Sequence, residues 1–82
     1  MKPVSEIIIY TNEQCGFCKQ QLDWMRKNGI HYTIKDVKNN EEHRSELIKF
    51  GARGTPFTII KTGSEEHKVL GFNKAKLEKL LL

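Results

Sequence analysis

Cysteine is scarce in this chain: only two of the 82 residues are cysteine, and they stand three positions apart as Cys15 and Cys18. A pair so close in sequence closes a trivially short loop, which excludes a disulfide framework stapling distant segments together. Long apolar runs are missing as well. No stretch approaches the roughly 20 residues needed to cross a bilayer, and Met1-Lys2-Pro3 leads into a four-residue apolar run rather than a signal-peptide core. The expectation is a soluble, cytoplasmic protein with no membrane partner. The length leaves no room for a second domain, so residues 1–82 are expected to form one domain around one modest core. The chain also lacks internal repeats and low-complexity segments.

A basic cluster is absent too. The formal charge of +4 comes from 14 Lys and Arg against 10 Asp and Glu spread along the whole chain, with no basic run interleaved with aromatics. Nucleic-acid binding is therefore not expected, while a mild preference for acidic partners is compatible with the charge. The three histidines, His31, His43 and His67, are scattered and share no ligand spacing with the cysteines. A mononuclear zinc site normally takes four protein ligands, so no metal is expected.

What remains is well ordered. Ile7-Ile8-Ile9-Tyr10 is a continuous β-prone run of the kind shown by a strand buried on both faces. From Gly16 to about Asn28 the apolar positions Cys18, Leu22 and Met25 recur at helical spacing, and Asn28-Gly29 supplies the stop. Ile30 to Lys35 is rich in β-branched and aromatic residues and predicts a second strand, parallel to the first across a helical crossover. Asn39 followed by Glu42 has the logic of a capping box, and Leu47, Ile48 and Phe50 predict the buried stripe of a second helix stopped at Gly51. After Pro56, Phe57 to Ile60 reads as a strand, with a Gly63-Ser64 turn and His67 to Leu70 as its hairpin partner. Asn73 is placed to cap a last helix whose inner face is Leu77, Leu80 and Leu81. The order β-α-β-α-β-β-α predicts an α/β fold with one mixed four-stranded sheet covered by three helices.

In that arrangement the cysteines fall at the C-terminal edge of the first strand, where open α/β sheets carry their sites, and at the mouth of the first helix. The first turn of a helix leaves backbone N–H groups unpartnered, and its partial positive charge favours a thiolate over a thiol. Free cysteine titrates near 8.5, and sites of this kind lower that to roughly 3.5–7.5. Cys15, at the mouth, is the expected nucleophile. Cys18, one turn in, is expected to be more buried. Redox chemistry is the reaction class this pattern points to.

The pieces resemble the glutaredoxin branch of the thioredoxin superfamily. The resemblance is carried by Tyr10-Thr11 before the site, Cys15-Gly16-Phe17-Cys18 opening a helix, Gly51-Ala52-Arg53-Gly54-Thr55-Pro56 before a strand, and Gly71-Phe72-Asn73 before the last helix. The short segment before Cys15 is similar to the minimal glutaredoxin core rather than to thioredoxin proper. The resemblance implies a thiol-disulfide oxidoreductase acting on protein disulfides or glutathione mixed disulfides. In that cycle Cys15 attacks, Cys18 resolves, and a reductant reopens the bridge. It also implies that Phe17 contacts substrate, that Lys19 adds positive potential, and that the backbone at Thr55-Pro56 pairs with an extended substrate. The amides of Phe72 and Asn73 beside Gly71 would receive a carboxylate such as that of glutathione. Gly16-Phe17 is similar to the pair of monothiol members, which have Ser at the second position, and Cys18 restores the dithiol. The Gly71-Phe72 pair is similar to that of NrdH-type redoxins, which accept electrons from thioredoxin reductase. Glutathione is the expected electron donor, with thioredoxin reductase as the alternative. No tightly bound cofactor and a monomer are implied, with an iron–sulfur cluster shared by two subunits as the alternative binding function.

Overall fold

The computed structural model describes residues 4–82; Met1-Lys2-Pro3, and the reading of them as the lead into a short apolar run, lie outside the described residues. Strands and helices follow in the order β1 (Val4–Thr11), α1 (Gly16–Lys27), β2 (Thr33–Asp36), α2 (Glu41–Lys49), β3 (Phe57–Thr62), β4 (Glu65–Leu70) and α3 (Lys74–Leu81). The strands form a single sheet in the order β2-β1-β3-β4. β1 is parallel to β2, with Ile9 opposite Ile34, and antiparallel to β3, with Ile8 opposite Ile59. β3 and β4 make the antiparallel hairpin, Thr58 opposite Val69. This is the expected α/β architecture, a mixed four-stranded sheet with three helices.

Side chains alternate across a strand, so the isoleucines of β1 are dealt to both faces. Ile7 and Ile9 join Ile60, Val69, Met25 of α1 and Leu77 of α3 in one cluster, with Leu22, Trp24, Leu80 and Leu81 packed around it. Ile8 and Tyr10 join Phe57, Ile59, Val37, Ala52 and Leu47 of α2 in the other. Two helices therefore cover one face and a single helix covers the second. Burial on both sides is why β1 reads as an unbroken apolar run. The second face is closed by a polar latch: Tyr10 donates its hydroxyl to Glu46 Oε1 at 2.7 Å, and Lys35 Nζ reaches the same oxygen at 2.8 Å.

Five local expectations are corrected. The cap of α2 is Asn40, whose Oδ1 accepts from the His43 N–H at 3.1 Å. Asn39 is instead drawn back to Asp36, donating its side-chain amide to Oδ2 at 2.8 Å. The buried stripe of α2 reduces to Leu47, because a nine-residue helix lying alone on its face turns only one row of side chains inward. Ile48 is 67% exposed, and Phe50, at the C-cap, is 40% exposed while its ring leans on Tyr10 and Phe57 at 6.1 and 5.8 Å. In α3 only Leu77 is fully interior; Leu80 and Leu81 are half-buried at its edge. β2 starts at Thr33 rather than Ile30, since Ile30 and Tyr32 turn into the core before pairing begins, and β4 extends back to Glu65 as a charged edge strand.

Candidate active site

β1 delivers the chain to the site and a compact loop turns it into α1. Asn12 holds that loop: its carbonyl accepts from the Cys15 N–H at 2.9 Å and its Oδ1 from the Gln14 N–H at 2.9 Å. Cys15 is the N-cap of α1, with extended backbone, and its sulfur accepts from the Cys18 N–H at 3.3 Å. The sulfur thus occupies the position that a Ser or Asp oxygen usually fills at a helix start. Cys15 is half-buried, while Cys18 is 2% exposed on the inner face of the helix, and both are free thiols. From the other side the Thr55 carbonyl accepts the Cys15 thiol hydrogen at 3.3 Å. The Thr55-Pro56 bond is cis. Pro56 leads into β3, and its carbonyl accepts from the Gly71 N–H at 2.8 Å, which draws the loop after β4 to the same end of the sheet.

The two thiols are pushed in opposite directions. Partial burial acts to raise the Cys15 pKa, but hydrogen bonds from the side chains of Cys18 and Thr55 and from the amides of Cys18 and Phe17 outweigh it, and Cys15 lies below the ordinary thiol value. Burial is the first cause of the raised Cys18 pKa, followed by its hydrogen bond and charge repulsion with Cys15; the Asn12 amide and Thr55 oppose this only in part. A pair whose environments separate their titrations divides the labour of a nucleophile and a held-back proton carrier.

The remaining expected site residues fall into two places. Phe17, expected at a loop tip, is 63% exposed in the first turn of α1 and faces Leu70, Gly71, Phe72, Asn73 and Lys74 across an open groove of about 450 Å³. Gly71 has φ of 75°, a conformation that L side chains rarely adopt. Asn73 caps α3, its Oδ1 accepting from the Lys76 N–H at 3.1 Å. Its own N–H, expected to be open to a carboxylate, is turned onto the Gly71 carbonyl at 3.1 Å. Lys19 is exposed and sits on the opposite flank, lining a recess of about 270 Å³ with Cys18, Leu22 and Ile34. Trp24 packs on Phe72, ring centroids 6.5 Å apart.

Sequence reasoning passed over Gln21 and Thr58. Both are fully buried, and Gln21 Nε2 donates to Thr58 Oγ1 at 2.6 Å. Polar residues read as surface, yet Gln21 lies three residues after Cys18 and four before Met25, on the stripe those two define. Among the described residues no three His, Cys, Asp or Glu side chains converge as metal ligands. A cluster shared between two copies would draw on Cys15, the thiol with access to solvent.

The glutaredoxin family model matches residues 7–63. The chain is 26% identical over 76 residues to an uncharacterized glutaredoxin-like 8.6 kDa protein in the rubredoxin operon of Clostridium pasteurianum, covering 92% of this chain and 96% of that one. It is also 26% identical over 66 residues to the N-acetyl-S-hydroxy-L-cysteine reductase of Bacillus subtilis, covering 79% of this chain and 71% of the relative. A crystal structure of a thioredoxin-like protein superimposes with a TM-score of 0.82 at 28% identity, over 93% of this chain and 100% of the other. NrdH-redoxin from Escherichia coli superimposes with a TM-score of 0.77 at 23% identity, over 94% and 96% of the two chains, and shares the thioredoxin fold. The matched span runs from within β1 to the β3–β4 turn and so takes in the cysteine pair, the helix behind it and the Pro56 corner: the chain belongs to the glutaredoxin family of thiol oxidoreductases.

Proposed function

We propose that this protein reduces protein disulfides by a two-cysteine cycle in which Cys15 attacks and Cys18 resolves. The asymmetry of the pair carries the reading: a half-buried sulfur held below the ordinary thiol pKa at a helix mouth, and a buried neighbour held above it. The Cys15 thiolate attacks one substrate sulfur, forming a mixed disulfide while the other substrate sulfur leaves as a thiolate and takes up a proton. Cys18 then gives up its proton and attacks Cys15 Sγ, forming the intramolecular disulfide and releasing the second substrate thiolate. Two electrons pass from the cysteine pair to the substrate, and a reductase must return them.

The surroundings supply the binding logic. An extended substrate segment beside Cys15 would pair with the backbone at Thr55 and Pro56, and Phe17, Leu70 and Phe72 offer it an apolar wall. Lys19 contributes positive potential from the opposite flank. The Asn73 N–H is already spent on Gly71, which leaves Phe72 alone of the two amides expected for a glutathione carboxylate. Thioredoxin reductase is accordingly the proposed electron donor, with glutathione the second. The test supplies NADPH with either thioredoxin reductase or glutathione plus its reductase, and follows reduction of a protein disulfide. Faster turnover with thioredoxin reductase, abolished by Cys18→Ser, is expected. Turnover supported by glutathione alone and indifferent to Cys18→Ser would replace this reading with a monothiol route on glutathionylated proteins.

A further inference from the structure

We propose that the buried Gln21–Thr58 hydrogen bond is a positioning device: it fixes the separation between the helix mouth that carries Cys15 and the Thr55-Pro56 corner, and so sets the reactivity of Cys15. The inference rests on reading Cys15 as the nucleophile. Gln21 stands one turn beyond Cys18 on the inner stripe of α1, and Thr58 is the second residue of β3, two after Pro56. Thr58 pairs with Ile9 in the sheet and so faces the α1 side. Both side chains are fully buried, and their 2.6 Å bond is the only side-chain hydrogen bond joining α1 to β3 among the described residues.

Packing alone does not account for this pair. Thr58 stands opposite Ile9 and Val69, Met25 follows Gln21 by one turn of α1, and Gln21 Oε1 is buried with no hydrogen-bond partner among the described residues. A leucine opposite a valine would fill the same space without an orphaned oxygen. What the polar pair supplies is a fixed distance, because a hydrogen bond holds donor and acceptor within a few tenths of an ångström where apolar surfaces can slide. The two elements it joins are the two that stabilise the Cys15 thiolate. α1 contributes the amides of Phe17 and Cys18 and the Cys18 thiol, and the segment entering β3 contributes the Thr55 side chain, on a residue whose backbone carbonyl lies 3.3 Å from Cys15 Sγ. If α1 drifts from β3, Thr55 is the partner that is lost.

The experiment titrates the reduced full-length protein by ultraviolet thiolate absorbance and follows thermal unfolding in parallel. Thr58→Val removes the acceptor at constant shape, Gln21→Leu removes the donor, and Thr58→Ser keeps the hydroxyl. Below the titration midpoint, Thr58→Val and Gln21→Leu are each expected to cut the Cys15 thiolate fraction about tenfold, one pKa unit in thiolate stability. The double variant should lose no more than either single, since both remove the same contact, and should unfold no lower than wild type. Thr58→Ser should titrate as wild type does. Should Gln21→Leu fail to fold, Thr58→Val decides alone. Folded variants that titrate as wild type, whatever their melting temperature, overturn the inference and leave the nucleophile reading standing. A wild-type Cys15 that titrates as an ordinary thiol overturns both.

Discussion

Replacing Cys18 by alanine tests more than the loss of a resolving thiol, because Cys18 is the first of the groups that hold the Cys15 pKa down. Four donors stabilise that sulfur: the side chains of Cys18 and Thr55, and the amides of Cys18 and Phe17. Alanine deletes the first and keeps the rest, including the amide at 3.3 Å. A hydrogen bond to a charged acceptor contributes about 1.5–3 kcal/mol, and the half-exposed position of Cys15 places this one at the lower end. Each 1.36 kcal/mol is tenfold in the thiolate equilibrium, so Cys18→Ala should lower the thiolate fraction about tenfold at a pH below the midpoint. Serine at the same position retains a donor and should recover most of that loss. The assay is the pH dependence of iodoacetamide alkylation of Cys15. The curves should cross, with the alanine variant slower at low pH and about threefold faster at high pH, because intrinsic nucleophilicity rises with thiol basicity. Coincident wild-type and alanine curves would refute the assignment of Cys18 as a thiolate donor. Serine behaving like alanine would do the same.

Other outcomes follow from the same site and core. For the reduced protein, Cys15 binds fewer protons folded than unfolded between its lowered pKa and the ordinary value near 8.5, so stability rises with pH across that window. Cys18, raised in the folded state, reverses the sign above that value, so urea midpoints should peak near pH 8.5 and the peak should vanish in the disulfide form. Phe17→Ala should leave the unfolding midpoint within about 0.5 kcal/mol of wild type, since the ring is exposed, while raising KM for a protein disulfide. Glu46→Ala removes the acceptor from the buried Tyr10 and should lower the urea midpoint. Lys35→Ala, which breaks the partly exposed ion pair to the same carboxylate and removes the cation over the Tyr10 ring, should cost about 1 kcal/mol or less by urea titration.

The order of elements and the cysteine pair were legible because they rest on short-range chemistry. The β-branched run of β1, the apolar stripe of α1 and the Asn73 cap of α3 each act within a few positions, and each appears where the sequence puts it. The errors arise where the decision belongs to tertiary packing. Asn39 and Asn40 are chemically equal as caps, and the choice is made by Asp36, which takes the first of them. Ile48 and Phe50 look like core residues until the single-helix face fixes how much of α2 can be covered. The Gln21–Thr58 bond and the Tyr10–Glu46–Lys35 latch join residues 37 and 36 positions apart for the two hydroxyl bonds, and no local pattern announces them. The placement of Thr55 against Cys15, 40 positions away, came from the family resemblance and not from spacing.

The charged character of β4 has a consequence for how the molecule tolerates crowding. That strand carries the exposed Glu65, Glu66 and Lys68, and at the opposite border β2 is only four residues long. Neither margin offers a long, greasy ribbon on which a second chain could nucleate a growing β-stack. On the proposed function, a site that clasps extended polypeptide would otherwise be prone to polymerise with its own clients, and the borders discourage such annealing.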